Sequence, residues 1–119
     1  MLAGRPKGGS RVNEFAAVVS STSPDTVKVA GELDMATAPQ LEAVAADVLS
    51  QHKGVTLDMG GVTFVDSSGL GAVLRIASSL DGQGPLRLVN VPPLVARVIQ
   101  LTGLEGIGTI EFSDASNDA

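Results

Sequence analysis

Cysteine, tryptophan and tyrosine are absent from this 119-residue sequence, and it contains a single histidine, His52. The lack of cysteine excludes disulfides, thiolate chemistry and cysteine-ligated metals, and it is compatible with a reducing compartment. One histidine cannot form a metal site alone, and its place near the end of a predicted helix suits an interaction with the helix dipole. We therefore expect neither a metal nor a cofactor.

Basic residues are scarce and scattered, since eight Lys and Arg stand against thirteen Asp and Glu, for a net charge of -5. Without a basic stripe or interleaved aromatic residues, the chain would be repelled by a nucleic-acid backbone. The sequence also lacks the cluster of Lys or Arg that would anchor it to anionic lipids. It thus predicts no nucleic-acid partner and no direct membrane binding.

Long apolar runs are missing as well. No segment reaches membrane-spanning length, and no apolar stretch of the kind found in secretory signals follows Arg5 and Lys7. We therefore expect a cytoplasmic protein. Hydrophobic residues nevertheless form 44% of the chain, enough for one core at this length. We predict a flexible leader over residues 1–12, one domain over 13–112 and a solvated tail over 113–119.

What the chain does contain is a repeated switch between strand-like and helix-like hydrophobic patterns, marked by turn residues. Thr37 and Gln40 fit a capping box at the start of the first helix. The predicted strands are 15–19, 27–30, 55–65 with a bulge at its two central glycines, 86–91 and 107–112. The predicted helices run from 37 to before 54, from about 70 to 80, and from 92 to a stop at 103.

This order, β-β-α-β-α-β-α-β, predicts an α/β domain whose mixed sheet has an N-terminal hairpin followed by parallel strands, packed with three helices. Functional residues of such sheets gather beyond the carboxyl ends of the strands. Two acidic segments are predicted there, residues 31–34 after the second strand and residues 66–69 after the third.

Ser67 has the most informative setting of the candidate residues. A serine at a strand-to-helix junction lies among the unpaired N–H groups of the first helical turn, which favour negative charge. The first turn of the helix would stabilise a phosphate on Ser67. The unfavourable interactions of that phosphate would be with Asp34, with Asp66 and with any partner docked on this surface. The alternative is that Asp66, Ser67 or Ser68 is simply the helix N-cap, a common role for these residue types.

Three segments together resemble the landmark motifs of bacterial STAS-domain anti-sigma-factor antagonists. They are Gly-Glu-Leu-Asp at 31–34, Val-Thr-Phe-Val-Asp-Ser-Ser-Gly-Leu-Gly at 62–71, and Thr-Gly-Leu at 102–104. The resemblance covers residues 14–112 and is most specific in the Asp-Ser-Ser-Gly-Leu-Gly string. The further C-terminal helix that is common in the family has no counterpart in residues 113–119, which are too few and too polar to form one.

The resemblance implies a partner switch. The unmodified protein would bind an anti-sigma factor with serine-kinase activity and thereby free a sigma factor. The kinase, which would bind the ATP, would phosphorylate Ser67 and release the antagonist, and a phosphatase would restore it. The same match implies a docking surface that contains Asp34, Asp66, Ser67, Ser68, Gly69 and Leu70.

Two other classes of function compete with this interpretation. A hydrolase nucleophile is disfavoured because Val65 stands where a G-x-S-x-G elbow needs glycine, and carboxylate catalysis through Asp34 and Asp66 would need a shared cleft. We therefore expect no enzymatic activity. The remaining alternative is a STAS-like accessory or scaffold module of a transporter or signalling complex, in which Ser67 is never phosphorylated.

Overall fold

The computed structural model describes residues 14–80, 82–103 and 110–114. Its helices and strands follow the predicted order. They are β1 (Ala16–Val19), β2 (Thr26–Leu33), α1 (Ala38–Leu49), β3 (Val55–Val65), α2 (Ser67–Ser79), β4 (Leu86–Val91), α3 (Pro93–Thr102) and β5 (Ile110–Asp114). The predicted fold class, a mixed sheet with an N-terminal hairpin, parallel strands and three helices, is confirmed.

The five strands form one sheet in the order β1-β2-β3-β4-β5. β1 pairs antiparallel with β2, and every later pair of neighbours is parallel. Parallel neighbours require a crossover connection, and the helices α1 and α2 supply it for β2–β3 and β3–β4. The strands β2, β3 and β4 therefore end at the same side of the sheet, at Leu33, Val65 and Val91, and we call this side the carboxyl edge.

One face of the sheet is buried beneath the helices. Alternate residues of β3, Val55, Leu57 and Met59, are at most 2% exposed, whereas Thr56 and Asp58 between them are only half-buried. Burying one such aliphatic side chain stabilises the fold by about 1.5–3 kcal/mol, so this face carries most of the stability. The helices and the C-cap of α2, Leu80, contribute to the same core, the helical residues being Leu41, Ala45, Val48, Leu70, Val73, Ile76, Ala77, Val95 and Ile99.

The predicted bulge lies inside β3, which runs unbroken through Gly60 and Gly61. Lys28 of β2 pairs with Asp58, but Ala30 pairs with Gly61, so β3 holds one residue more than β2 between these pairs. A Cβ at position 61 would lie 2.7 Å from the Ala30 Cβ, which explains the glycine. Because of the extra residue, the alternation of buried and exposed residues is shifted by one position in the part of β3 that follows the bulge.

Two features near α1 differ from the prediction. β2 continues for three residues beyond Ala30, since Gly31 adopts a φ of 92° and Glu32 and Leu33 still pair with β3 after a second register shift between Gly31 and Glu32. Thr37 does precede α1, but its side chain caps no helical N–H group. Its hydroxyl instead donates to the Glu32 carbonyl over 2.7 Å, so the predicted capping box with Gln40 is wrong.

The C-terminal part of the prediction is described only in part. β5 extends through Ser113 and Asp114, beyond the predicted end of the last strand. Leu104 of the third landmark segment, the predicted strand residues 107–109, the leader at 1–12 and the tail from 115 onward lie outside the described residues. Within the described ranges, no helix is both long and apolar enough to cross a membrane.

Candidate functional site

The carboxyl ends of β2 and β3 bring the two acidic segments together. Leu33 pairs with Val65 in the parallel register, and the Asp66 N–H group donates to the Leu33 carbonyl over 3.2 Å. Asp34 and Asp66 therefore follow neighbouring strands at the carboxyl edge. Ser67 begins α2 immediately after Asp66, so the structure places these three predicted site residues on one surface.

Asp66 is the N-cap of α2. Its backbone is extended, with φ −115° and ψ −173°, and its Oδ1 accepts a hydrogen bond from the Gly69 N–H group over 3.0 Å. Its carbonyl accepts the first helical hydrogen bond, from Leu70, also over 3.0 Å. Of the three residues that could have capped the helix, Asp66 has this role, which leaves the Ser67 side chain without a capping function.

Ser67 is the first residue of the thirteen-residue helix α2, and its side chain is exposed. Within the described residues, its hydroxyl group and the N–H groups of Ser67 and Ser68 have no hydrogen-bond partner. The amino end of a helix carries a partial positive charge that stabilises an anion. The hydroxyl is therefore accessible to a modifying enzyme, and backbone donors lie beside the place where a phosphate would be attached.

The other predicted docking residues differ in how much surface they offer. Ser68 is half-buried, whereas Gly69 is buried and Leu70 is 7% exposed and belongs to the core. Gly69 and Leu70 can shape the surface from beneath, but they present little area to a partner.

Gly69 allows α2 to begin directly against the ends of two strands. A Cβ at position 69 would collide with the Leu33 carbonyl oxygen and would lie 2.8 Å from Leu33 Cγ and 2.9 Å from a methyl carbon of Val65. Both the carbonyl and the two core side chains are fixed by the sheet. The glycine is therefore required by packing at the site, in contrast to Gly71, where an added Cβ would meet only the guanidinium of Arg75.

Asp34 organises the turn that leads from β2 into α1. Its Oδ1 accepts hydrogen bonds from the Ala36 N–H group over 3.0 Å and from the Thr37 N–H group over 3.1 Å. In return, the Asp34 N–H group donates to the Thr37 hydroxyl over 2.9 Å. The Asp34 carboxylate is thus held in place by backbone donors, so a fixed negative charge stands at the carboxyl edge beside α2.

Exposed apolar side chains near this surface were missed by the sequence reasoning. Phe64 is 47% exposed and Leu94, at the start of α3, is 77% exposed. Together with Thr63, Val65, Val95 and Val98 they line a shallow cleft of about 190 Å³ between β3 and α3. The Gly-Gly bulge alone would bury Phe64 after Val62, and only the second register shift, between Gly31 and Glu32, leaves Phe64 exposed and Val65 buried. An apolar cleft close to an exposed serine suits protein docking.

The capping role of Asp66 predicts a contrast between two substitutions. We expect Asp66→Ala to lower the free energy of unfolding by about 0.5–2 kcal/mol, because the Gly69 N–H group loses its acceptor. Asp66→Asn should cost only a few tenths of a kcal/mol, because asparagine caps about as well as aspartate. Urea denaturation followed by circular dichroism measures both, since the chain has neither Trp nor Tyr for fluorescence. Equal losses in the two variants would contradict the capping role.

Comparison with known protein families gives a match over most of the chain. The model of the family described as "Mlab, STAS domain" matches residues 16–110. BtrV of Bordetella bronchiseptica is 38% identical over 79 residues, which cover 65% of this chain and 68% of BtrV. An anti-sigma-B factor antagonist of Staphylococcus aureus is 30% identical over 83 residues, which cover 68% of this chain and 77% of that protein.

Solved structures show the same similarity in three dimensions. An anti-sigma factor antagonist from Mycobacterium paratuberculosis matches with a TM-score of 0.73 and 29% identity, covering 89% of this chain and 91% of that chain. The anti-sigma factor antagonist SpoIIAA in its unphosphorylated form matches with a TM-score of 0.66 and 26% identity, covering 87% of this chain and 92% of that chain. SpoIIAA has also been solved in a phosphorylated form, which matches with a TM-score of 0.60 and 25% identity, covering 87% of this chain and 96% of that chain.

Proposed function

The chain belongs to the STAS-domain family, and from this premise we propose that it is an anti-sigma factor antagonist whose partner binding is controlled by phosphorylation of Ser67. The observation that carries the proposal is the setting of Ser67, an exposed hydroxyl at the first position of a helix that Asp66 already caps. The relative SpoIIAA, whose structure is similar, is known in unphosphorylated and phosphorylated forms, which supports the same modification here.

In the proposed reaction, the γ-phosphoryl group of ATP moves to Ser67 Oγ, the hydroxyl loses its proton, and ADP leaves. The partner, an anti-sigma factor with serine-kinase activity, would hold the ATP, because this chain has no G-x-x-x-x-G-K phosphate-binding loop. The chain's own part is to present the exposed hydroxyl at the first position of α2, at the carboxyl edge. A phosphatase would reverse the step by transferring the phosphoryl group to water.

The phosphate would act on binding because of the charges around it. Phosphorylation adds about −1.5 to −2 charges at pH 7 to a surface that already carries Asp34 and Asp66. The helix terminus stabilises that charge within the protein, but a partner that fits the neutral hydroxyl would have to bury the larger phosphate without a matching counter-charge. Phosphorylation should therefore weaken docking and leave the fold intact.

The remaining parts of the proposal follow from the same premise. An antagonist of this kind acts by binding, so we propose no enzymatic activity for the chain itself and no cofactor. A sigma factor and its anti-sigma factor work where transcription takes place, and we accordingly propose a cytoplasmic location. The docking surface would consist of Asp34, Asp66, Ser67 and Ser68, supported from beneath by Gly69 and Leu70.

Affinity capture from a lysate of the native host tests this proposal. Baits of the wild type, Ser67→Ala and Ser67→Asp are compared, and the bound proteins are identified by mass spectrometry. We expect an ATP-binding anti-sigma factor on the wild-type and Ala baits and its loss from the Asp bait. If all three baits retain the same transport or scaffold proteins, the accessory-module alternative is correct and the switch is rejected.

A further inference from the structure

Arg75 is the one basic residue of α2, and its side chain extends back along the helix toward Ser67. Its Nη1 lies 3.3 Å from the position that a Cβ would occupy at Gly71. Because Cβ atoms four residues apart on a helix are about 6 Å apart, the guanidinium lies within about 9 Å of Ser67 Cβ. Position 71, which lies between the two residues along the helix, is a glycine and places no side chain between them.

Glu42 of α1 holds Arg75 in this position. Arg75 Nε donates to both carboxylate oxygens over 3.1 Å, and Nη2 donates to Oε2 over 2.8 Å. These hydrogen bonds lower the pKa of Glu42 below its ordinary value. The Arg75 side chain is nevertheless 61% exposed and that of Glu42 31% exposed. Solvent screens a pair of this kind, so a stronger anion nearby can compete for the arginine.

The other basic groups of the described residues lie on other elements. Lys28 belongs to β2, Lys53 lies between α1 and β3 at the opposite side of the sheet, and Arg97 belongs to α3. Arg87 of β4 is paired with Glu111 across the sheet over 3.0 Å. Arg75 is therefore the basic residue that shares a helix with Ser67, and a phosphate on Ser67 would attract it.

We propose that phosphorylation of Ser67 draws Arg75 away from Glu42, so that Arg75 becomes the internal counter-charge of the phosphate. This inference rests on the proposed function, because it requires a phosphate on Ser67. A phosphoserine carries more charge than one carboxylate and offers three acceptor oxygens, and arginine binds such groups through paired N–H donors. The phosphate also reaches further from the backbone than the hydroxyl, and the Arg75 side chain would rotate away from Glu42 and toward Ser67 to meet it.

The exchange has two consequences for the modified protein. Arg75 offsets the repulsion between the phosphate and the carboxylates of Asp34 and Asp66, which makes the phosphorylated state easier to form. Glu42 loses its partner at the same time, so the charge pattern changes on α1 as well as on α2. Phosphorylation of Ser67 therefore also changes the exposed charge on α1, a helix that does not carry the phosphorylated serine.

The test uses protein with phosphoserine incorporated at position 67 during translation, so no kinase is needed. Titration of the phosphate by ³¹P NMR gives its second pKa, which an adjacent cation lowers because it favours the dianion. We expect this pKa to be lower in the wild type than in Arg75→Gln, and lower still in Glu42→Gln, which frees Arg75. Arg97→Gln, which removes an exposed arginine from another helix, is the matched control and should equal the wild type.

A second readout comes from Glu42 itself. Titration of its side-chain carboxyl carbon by ¹³C NMR should give a low pKa in the unmodified protein and a value closer to that of an ordinary glutamate in the phosphorylated protein. Equal phosphate pKa values in the wild type and Arg75→Gln, or a Glu42 pKa that phosphorylation does not change, would overturn the inference. Either failure leaves the proposed function untouched, since that stands or falls on whether a partner kinase modifies Ser67.

Discussion

Gly69→Ala is expected to be the most destabilising single substitution at the site, at about 2–3 kcal/mol or more. Overpacking a well-packed core costs typically about 1–3 kcal/mol, and here the added methyl group collides with the Leu33 carbonyl as well as with two core side chains. The backbone of Leu33 cannot retreat, because its carbonyl also accepts the Asp66 N–H hydrogen bond that joins β2 to the start of α2. Urea denaturation followed by circular dichroism measures the loss.

Gly71→Ala is the matched control, because it makes the same chemical change two residues along the same helix. An added methyl group there meets only the mobile end of Arg75, so the intrinsic helix propensity of alanine dominates. We expect no loss and a gain of up to about 1 kcal/mol. If the two alanine variants are equally stable, α2 does not begin against the strand ends as described.

Ser67→Asp is expected to weaken binding of the purified anti-sigma factor by about 100-fold or more, with folding unchanged. A charge that an interface buries without a matching counter-charge costs several kcal/mol of desolvation, and each 1.4 kcal/mol corresponds to a tenfold change in Kd. The fold tolerates the substitution because aspartate is favourable in the first turn of a helix. Ser67→Ala should bind like the wild type, since the Ser67 hydroxyl has no hydrogen-bond partner among the described residues. Isothermal titration calorimetry measures the affinities.

Ser68→Asp is the control for position. It places the same charge one residue further along α2, where the helix terminus accepts it equally well but the side chain is half-buried instead of exposed. We expect a clearly smaller loss of affinity than for Ser67→Asp. Equal losses of affinity in the two variants would mean that binding depends only on the total charge at the amino end of α2. Ser67 would then not be the position that controls binding.

Local sequence signals were sufficient for most of the fold. β4 has the predicted bounds, since an apolar alternating segment lies between Pro85 and Pro92, which both restrict helix formation. α3 ends at Gly103, whose φ of 77° is the left-handed conformation that glycine supplies at helix ends. Turn and terminus residues act through their own backbone, so their effects can be predicted without knowledge of the rest of the chain.

Features that depend on contacts between distant segments were not predictable in this way. Gly69 was predicted as part of the docking surface, but the need for a glycine comes from Leu33, which a different strand brings against it. The choice of Asp66 as N-cap among three candidates required its backbone conformation. The ion pair between Arg75 and Glu42 joins residues 33 positions apart, and no local pattern in the sequence indicates it.

The central claim is that phosphorylation of Ser67 releases the protein from its partner. The most direct test is to form complexes of the purified anti-sigma factor with the wild type and with Ser67→Ala, and then to add ATP and Mg²⁺ while dissociation is followed by size-exclusion chromatography. We predict that the wild-type complex dissociates as the chain gains one phosphate, whereas the Ser67→Ala complex remains intact. Dissociation of both complexes at the same rate, or no phosphate on the wild type, would contradict the account.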